Sequence, residues 1–240
     1  MLVALSAAAV LSIGALVGSM RAAVPGAPST PVRAARSQPS TPASESRSAV
    51  APKGPTPPAQ HTISQGSLPQ THAYPSGRTR EFRGLMASLW EGIVQDAVAP
   101  ALPAFFPKGA YEQLKAIYGA GSDWTNRLVR DYRLDLEAAH SLLGRDAPRA
   151  HLVGVDVSAS YGHWVPPGVC YNSVGYYEMP NARIVYSSGG RIRSFGIASM
   201  ISWRGVWYVV HLGAILRPSD TGQVDSPEPG RGSSQYSGTC

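Results

Sequence analysis

At Ala150 the spacing of apolar residues changes, and this change limits the fold more than any other feature of the chain. From Arg80 to that point, apolar side chains recur every three or four residues; beyond it they alternate. Phe82, Leu85, Met86, Leu89, Trp90, Ile93 and Ala97 make one helical stripe. Pro100, Pro103 and Pro107 should close that helix, because proline donates no backbone bond and crowds the preceding turn. "KGAYEQLKAIYG" offers a second helix closed by Gly119, and "SDWTNRLVRDY" a third capped by Ser122 or Asp123. "YRLDL" alternates like a short strand, after which Asp135 would cap "LEAAHSLLG", closed by Gly144. The alternating part reads as five strands: "HLVGVDVSAS", "VCYNSVGYYEM", "RIVYS", "RIRSFGIASMISW" and "VWYVVHLGAIL". Helices followed by antiparallel strands imply an α+β fold, with the N-terminal helices packed on the sheet.

The last hairpin can be placed in register. A two-residue turn at Arg204-Gly205 sets Trp203 opposite Val206. One face then holds Phe195, Ile197, Ile201 and Trp203 with Val206, Tyr208, Val210 and Leu212, and the helices should cover it. The other holds Gly196, Ala198, Met200 and Ser202 with Trp207, Val209, His211 and Ile215. This second face is less apolar, yet it is not the polar surface of a solvated sheet. Left open, Trp207, Val209, Met200 and Ile215 would form an interface for an envelope protein or a second copy of the chain.

The flanking regions read differently. Residues 1–20, "MLVALSAAAVLSIGALVGSM", carry no charged side chain. The run is about the ~20 apolar residues that span a bilayer, and it is expected to be a signal peptide or an uncleaved membrane anchor. Between residues 21 and 80 stand eleven of the 21 prolines, seven basic residues and one acid, Glu45. Residues 21–79 thus read as a disordered, basic Pro/Ala/Ser-rich linker. Outside residues 21–80 the chain carries 14 basic and 14 acidic residues, so the net charge of +6 lies in residues 21–80 and argues for no nucleic-acid groove. Residues 218–240 read as a disordered tail, leaving 80–217 as one α+β domain. The expected location is extracytoplasmic, either secreted or held at the membrane through residues 1–20.

Amphipathic helices, "YRLDL", another short helix and a curved antiparallel sheet ending in "SWRGVWYVVHL" together resemble the nuclear-transport-factor-2-like fold. This is the cone of ketosteroid-isomerase-like and polyketide-cyclase-like proteins, and the resemblance covers about residues 80–217. Separately, "FPKGAYEQLKAI" and "PPGVCYN" are similar to uncharacterised exported actinobacterial proteins. The cone resemblance implies a pocket in which a carboxylate and a tyrosine serve acid–base chemistry; no residues here match that pattern position by position.

The chemistry-bearing residues sort as follows. Cys170 sits between "PPG" and a run of tyrosines, and His163, His211 and His140 are the bases it would need as a nucleophile. Cys240 is its one possible disulfide partner in the sequence. The reading preferred is a small, buried structural cysteine. His211 is expected opposite Ala198 with small neighbours; with Asp156, Tyr176 or Tyr177 it would form an acid–base site. The six histidines are scattered, with no CxxC or HExxH, so no metal and no cofactor is expected. Two functions result: a non-catalytic interaction domain on a spacer, or a small-molecule-binding, isomerase-like cone centred on His211.

Overall fold

The computed structural model describes residues 64–234. Helix α1 (Arg80–Gln95) starts where Thr79 Oγ1 accepts from the Phe82 N–H at 3.0 Å. It stops at Asp96, whose left-handed φ of 51° turns the chain away. The proline cluster therefore does not end it, and Pro100 lies inside the next short helix, α2 (Val98–Ala101). Helix α3 (Lys108–Leu114) follows. Helix α4 (Ala120–Asp123), a π-helical stretch Trp124–Leu128 and α5 (Val129–Leu143) then form one unbroken helical run.

"YRLDL" is thus helix, not strand. Leu128, Tyr132, Leu136, Ala139 and Leu143 are all buried at three- and four-residue spacing, a stripe longer than the five-residue alternation. Asp135 is accordingly an interior helix residue, not a cap.

Among the described residues eight strands form two four-stranded antiparallel sheets, in place of the five strands expected. They are β1 (His151–Asp156), β2 (His163–Val165), β3 (Tyr176–Met179), β4 (Ala182–Ser188), β5 (Arg191–Ile197), β6 (Ser199–Trp203), β7 (Val206–His211) and β8 (Asp225–Pro229). One sheet has the order β1-β4-β5-β8, the other β2-β3-β6-β7. A single long hairpin joins them: β3 and β4 form one arm, β5 and β6 the other. Met179 pairs with Met200 and Ala182 with Ile197, so one register crosses the gap between the sheets. The turn uses Gly189 and Gly190, both at positive φ, which glycine adopts without a Cβ clash.

The expected Trp203–Val206 pairing is present in β6–β7. The open second face is not. Met200, Trp207 and Val209 are 0%, 1% and 0% exposed, and of the proposed interface residues only Ile215 reaches 38%. Tyr74 packs edge-on against Trp207 at 6.0 Å, and α1 contacts β7. The Phe106 N–H bonds the Val209 carbonyl at 2.8 Å. On the other face Phe106 meets Trp203 and Tyr208 edge-on. Both faces of the hairpin are therefore core, and its apolar composition reflects burial on two sides.

Two segments expected to be disordered belong to the fold. Within the 21–79 linker, residues 64–79 lie against the second sheet. Trp203 Nε1 donates to the Gln65 carbonyl at 3.0 Å, and Gln70 donates to the Ser202 carbonyl while accepting from the Arg204 N–H. Within the 218–240 tail, β8 extends the first sheet. Arg183, only 3% exposed, donates to Ser194 Oγ and to the carbonyls of Ser226 and Ser233. Backbone and side-chain polar groups hold both segments, which is why neither shows hydrophobic periodicity. The signal peptide or anchor expected at 1–20, the linker expected up to residue 63 and the tail expected from 235 lie outside the described residues. Among the described residues no helix is long and apolar enough to cross a membrane.

Candidate functional site

His211 ends β7 and pairs with Ser199, not Ala198, because an irregularity between Ser199 and Met200 shifts the register. Its imidazole lines a cavity of about 690 Å3. The sheet supplies Tyr176, Glu178, Ser199 and Ile201 to the same cavity; α3 and its end supply Tyr111, Leu114 and Lys115. The π-helical stretch supplies Arg127 and Leu128, and the segment after β7 closes one side with Gly213–Leu216, Gln223 and Asp225. A π-helical turn in a helix frequently marks a functional position, and here it presents Arg127.

The polar groups are mutually braced. The Arg127 guanidinium bonds both Asp123 oxygens, at 2.7 and 2.6 Å, and the Tyr111 hydroxyl donates to Asp123 Oδ2 at 2.6 Å. The hydrogen bonds from Arg127 hold the Asp123 carboxyl below the usual carboxylate range. Ser199 Oγ donates to Glu178 Oε1 at 3.2 Å, and His163 Nε2 lies 3.6 Å from Glu178 Oε2. Lys115 Nζ donates to the Cys170 carbonyl at 3.1 Å. No carboxylate of the described residues lies within ion-pairing distance of Lys115.

Burial and like charge set the protonation states. The His211 pKa falls from 6.5 to about 4, chiefly through burial and then through the Arg127 charge. Lys115 is lowered by burial first and by Arg127 second. The Tyr176 hydroxyl is pushed up to about 12 by burial and by Glu178. At neutral pH the cavity therefore presents a neutral imidazole and a protonated phenol, beside the side chains of Lys115, Arg127, Glu178 and Asp225. A base with a pKa near 4 is a weak proton acceptor, because general-base efficiency peaks when pKa lies near the working pH. The arrangement suits hydrogen bonding better than proton transfer.

The other sequence candidates separate. Tyr176 joins His211 in the cavity; Asp156 and Tyr177 do not. Asp156 lines a second hollow, beside Tyr74, Met179 and Trp207, and pairs with Arg231 at 3.0 Å. That hollow is larger, about 830 Å3, but Asp156 and Arg78 are its only charged groups and the Asp156 charge is already paired. Tyr177 packs among Tyr74, His72 and Trp164.

Cys170 differs from expectation. It is half-buried, sits at φ 53°, and is disulfide-bonded rather than a free core thiol. Its turn projects from the core after the Pro-Pro-Gly sequence, so the surroundings that would bury a thiol are missing. Nucleophilic chemistry at this sulfur is thereby removed.

Sequence reasoning missed Lys115, Arg127, Tyr111, Ser199 and Glu178. Glu178 alone carried a signal, as a charged residue inside the apolar strand "YYEM". Among the described residues no group of His, Cys, Asp and Glu could hold a metal ion. No protein family, curated protein or solved structure matches this chain.

Proposed function

We propose that this protein binds, without chemical conversion, a small apolar molecule bearing an anionic or strongly accepting group. The single observation that carries this reading is the cavity that gathers Lys115, His211 and Tyr176 among Leu114, Leu128, Ile201 and Val210. Its volume falls in the roughly 300–1,000 Å3 range of small-molecule sites, and a few polar groups on an apolar wall are what such sites use for orientation. Lys115 is the anchor, because its ammonium bonds a carbonyl while the neighbouring Arg127 is already bound to Asp123. A neutral His211 and an un-ionised Tyr176 supply hydrogen bonds and add no charge. This is the binding form of the cone-like alternative. The interaction-domain reading loses its surface, since Trp207, Val209 and Met200 are buried. An extracytoplasmic location is proposed with it. A disulfide at Cys170 supports that location, because such bonds persist in oxidising compartments.

The test is a panel of aromatic and medium-chain carboxylates and their matched primary amides, screened by ligand-observed NMR. Carboxylates should bind better than the amides, and Lys115→Met should abolish that preference while leaving amide binding unchanged. Binding insensitive to Lys115→Met and to His211→Ala would place any ligand elsewhere and sink the proposal.

A further inference from the structure

We propose that the ligand of the His211 cavity is an amphoteric chain, its carboxylate held at Lys115 and an amine at its other end received by Asp225. This rests on the reading of the cavity as a binding site. Among the described residues, the charged side chains that line it are Lys115, Arg127, Glu178 and Asp225. Two of these are already engaged. Arg127 is bound to both oxygens of Asp123, and Glu178 accepts from Ser199 Oγ and faces His163 Nε2 at 3.6 Å. Lys115 has only a backbone carbonyl, and half-buried Asp225 only the Ser226 hydroxyl, which donates to Oδ1 at 3.0 Å. No cationic side chain of the described residues lies within ion-pairing distance of Asp225. Arg183 borders a small neighbouring hollow with it, but is turned to Ser194, to the Ser226 and Ser233 carbonyls and to Glu228.

The two side chains stand at opposite ends of one wall. Lys115 bridges to Asn172 in the turn that precedes β3, beside Tyr176. Asp225 opens β8 and pairs with Gly196 of β5. Glu178, further along β3, pairs with Ile201, five residues beyond Gly196 on the β5–β6 arm. At about 3.3 Å per residue, these two levels of the hairpin are up to roughly 16 Å apart. Tyr176, Glu178, Ile201, Ser199 and Ala198 line the cavity over that length. Gly196 is what seats Asp225 at its end: a Cβ there would overlap Asp225 Oδ2, so the bare α-carbon leaves the carboxylate its room. An alkyl chain lying along Leu114, Leu128 and Ile201 would bring one polar end to Lys115 and the other to Asp225. An ammonium on a carboxylate that lacks a counter-charge makes a charge-assisted hydrogen bond, stronger than a neutral one.

The test uses the full chain and three probes of equal length: decanoate, its ω-amino derivative and decanedioate, each titrated by calorimetry at neutral pH. Wild type should bind the ω-amino acid about tenfold more tightly than decanoate, the worth of one hydrogen bond between charged groups. Asp225→Asn, which keeps the shape of the side chain, should erase that preference and leave decanoate affinity unchanged. Asp225→Lys should reverse it, so that decanedioate becomes the preferred probe, an outcome that a merely structural role for Asp225 would not produce. Urea unfolding of each variant confirms that the fold is retained. Equal wild-type affinity for decanoate and its ω-amino derivative overturns the proposal while leaving the anion-binding cavity standing. A preference that survives Asp225→Asn also overturns it, because the amine is then held elsewhere. Failure of wild type to bind any of the three probes overturns this proposal and the binding-site reading together.

Discussion

Removing the carboxylate of Asp135 should loosen the segment that closes the cavity, and the size of the effect can be worked out. Asp135 lies inside α5 at 1% exposure. Its oxygens accept from the Gly213 N–H at 2.9 Å, the Gln223 N–H at 3.0 Å and Arg217 Nη2 at 2.7 Å. The Arg217 side chain is itself only 8% exposed. Burial raises the Asp135 pKa despite these three donors, so the ion pair as a whole contributes little net stability. Truncating one partner is a different matter. Asp135→Ala takes the close carboxylate from the buried Arg217, which keeps the Thr221 carbonyl and the more distant Asp131, and leaves the Gly213 and Gln223 N–H groups without acceptors, a loss of about 3–5 kcal/mol. For a domain of this size that corresponds to a fall in Tm of about 10 °C. Asp135→Asn imitates the neutral form and keeps one acceptor, and should cost about half as much. The double variant Asp135→Leu with Arg217→Met removes the buried charge too. It should recover part of the loss, remaining about 2 kcal/mol below wild type because the two N–H groups stay unsatisfied. Urea unfolding of the four proteins measures this cycle, and amide exchange at Gly213 and Gln223 reports the segment directly. A single-variant loss below about 1 kcal/mol, or a double variant as unstable as Asp135→Ala, would refute the reasoning.

Three further outcomes are expected. Trp207→Ser should destabilise the protein by about 3–5 kcal/mol in urea unfolding, because a fully buried indole is removed; its sedimentation behaviour should match wild type, and altered association would revive a surface role. Gly222→Ala should cost about 3 kcal/mol, since a Cβ there would meet the Leu134 carbonyl oxygen at 1.8 Å and the backbone must move; unchanged Tm would contradict the close packing of this segment on α5. A depressed folded pKa means that His211 contributes stability present above its ordinary value of 6.5 and lost as pH falls through about 4. The loss should reach up to about 3 kcal/mol and shrink in His211→Phe, as read by unfolding at stepped pH.

The parts of the fold that the sequence discloses are those whose burial is periodic. The stripe of α1 and the Trp203–Val206 register are legible because one face of a helix, or alternate residues of a strand, must be apolar to pack. "YRLDL" misled because five residues satisfy either period, and only the longer stripe from Leu128 to Leu143 decides. The second sheet face misled in the opposite sense: its apolar content was read as an exposed interface, whereas Tyr74 and Phe106 cover the hairpin from segments distant in sequence. Residues 64–79 and β8 had no pattern to read, since what holds them are contacts such as Trp203 to the Gln65 carbonyl and Arg183 to the Ser226 carbonyl. The site was half legible. His211 and Tyr176 were named from β7 and β3 of one sheet, which flank β6 on either side. Lys115 and Arg127 reach the cavity from α3 and the π-helical stretch, and no spacing along the chain announces that meeting.

That burial in the cavity keeps His211 neutral as a hydrogen-bonding group is tested most directly by NMR titration of its imidazole, assigned by loss of the signal in His211→Phe. A midpoint near pH 4 is predicted, with an upward shift in Lys115→Met if the neighbouring ammonium contributes as placed. A midpoint at or above the ordinary histidine value of 6.5 would mean that the ring is solvated, and would contradict the cavity described here.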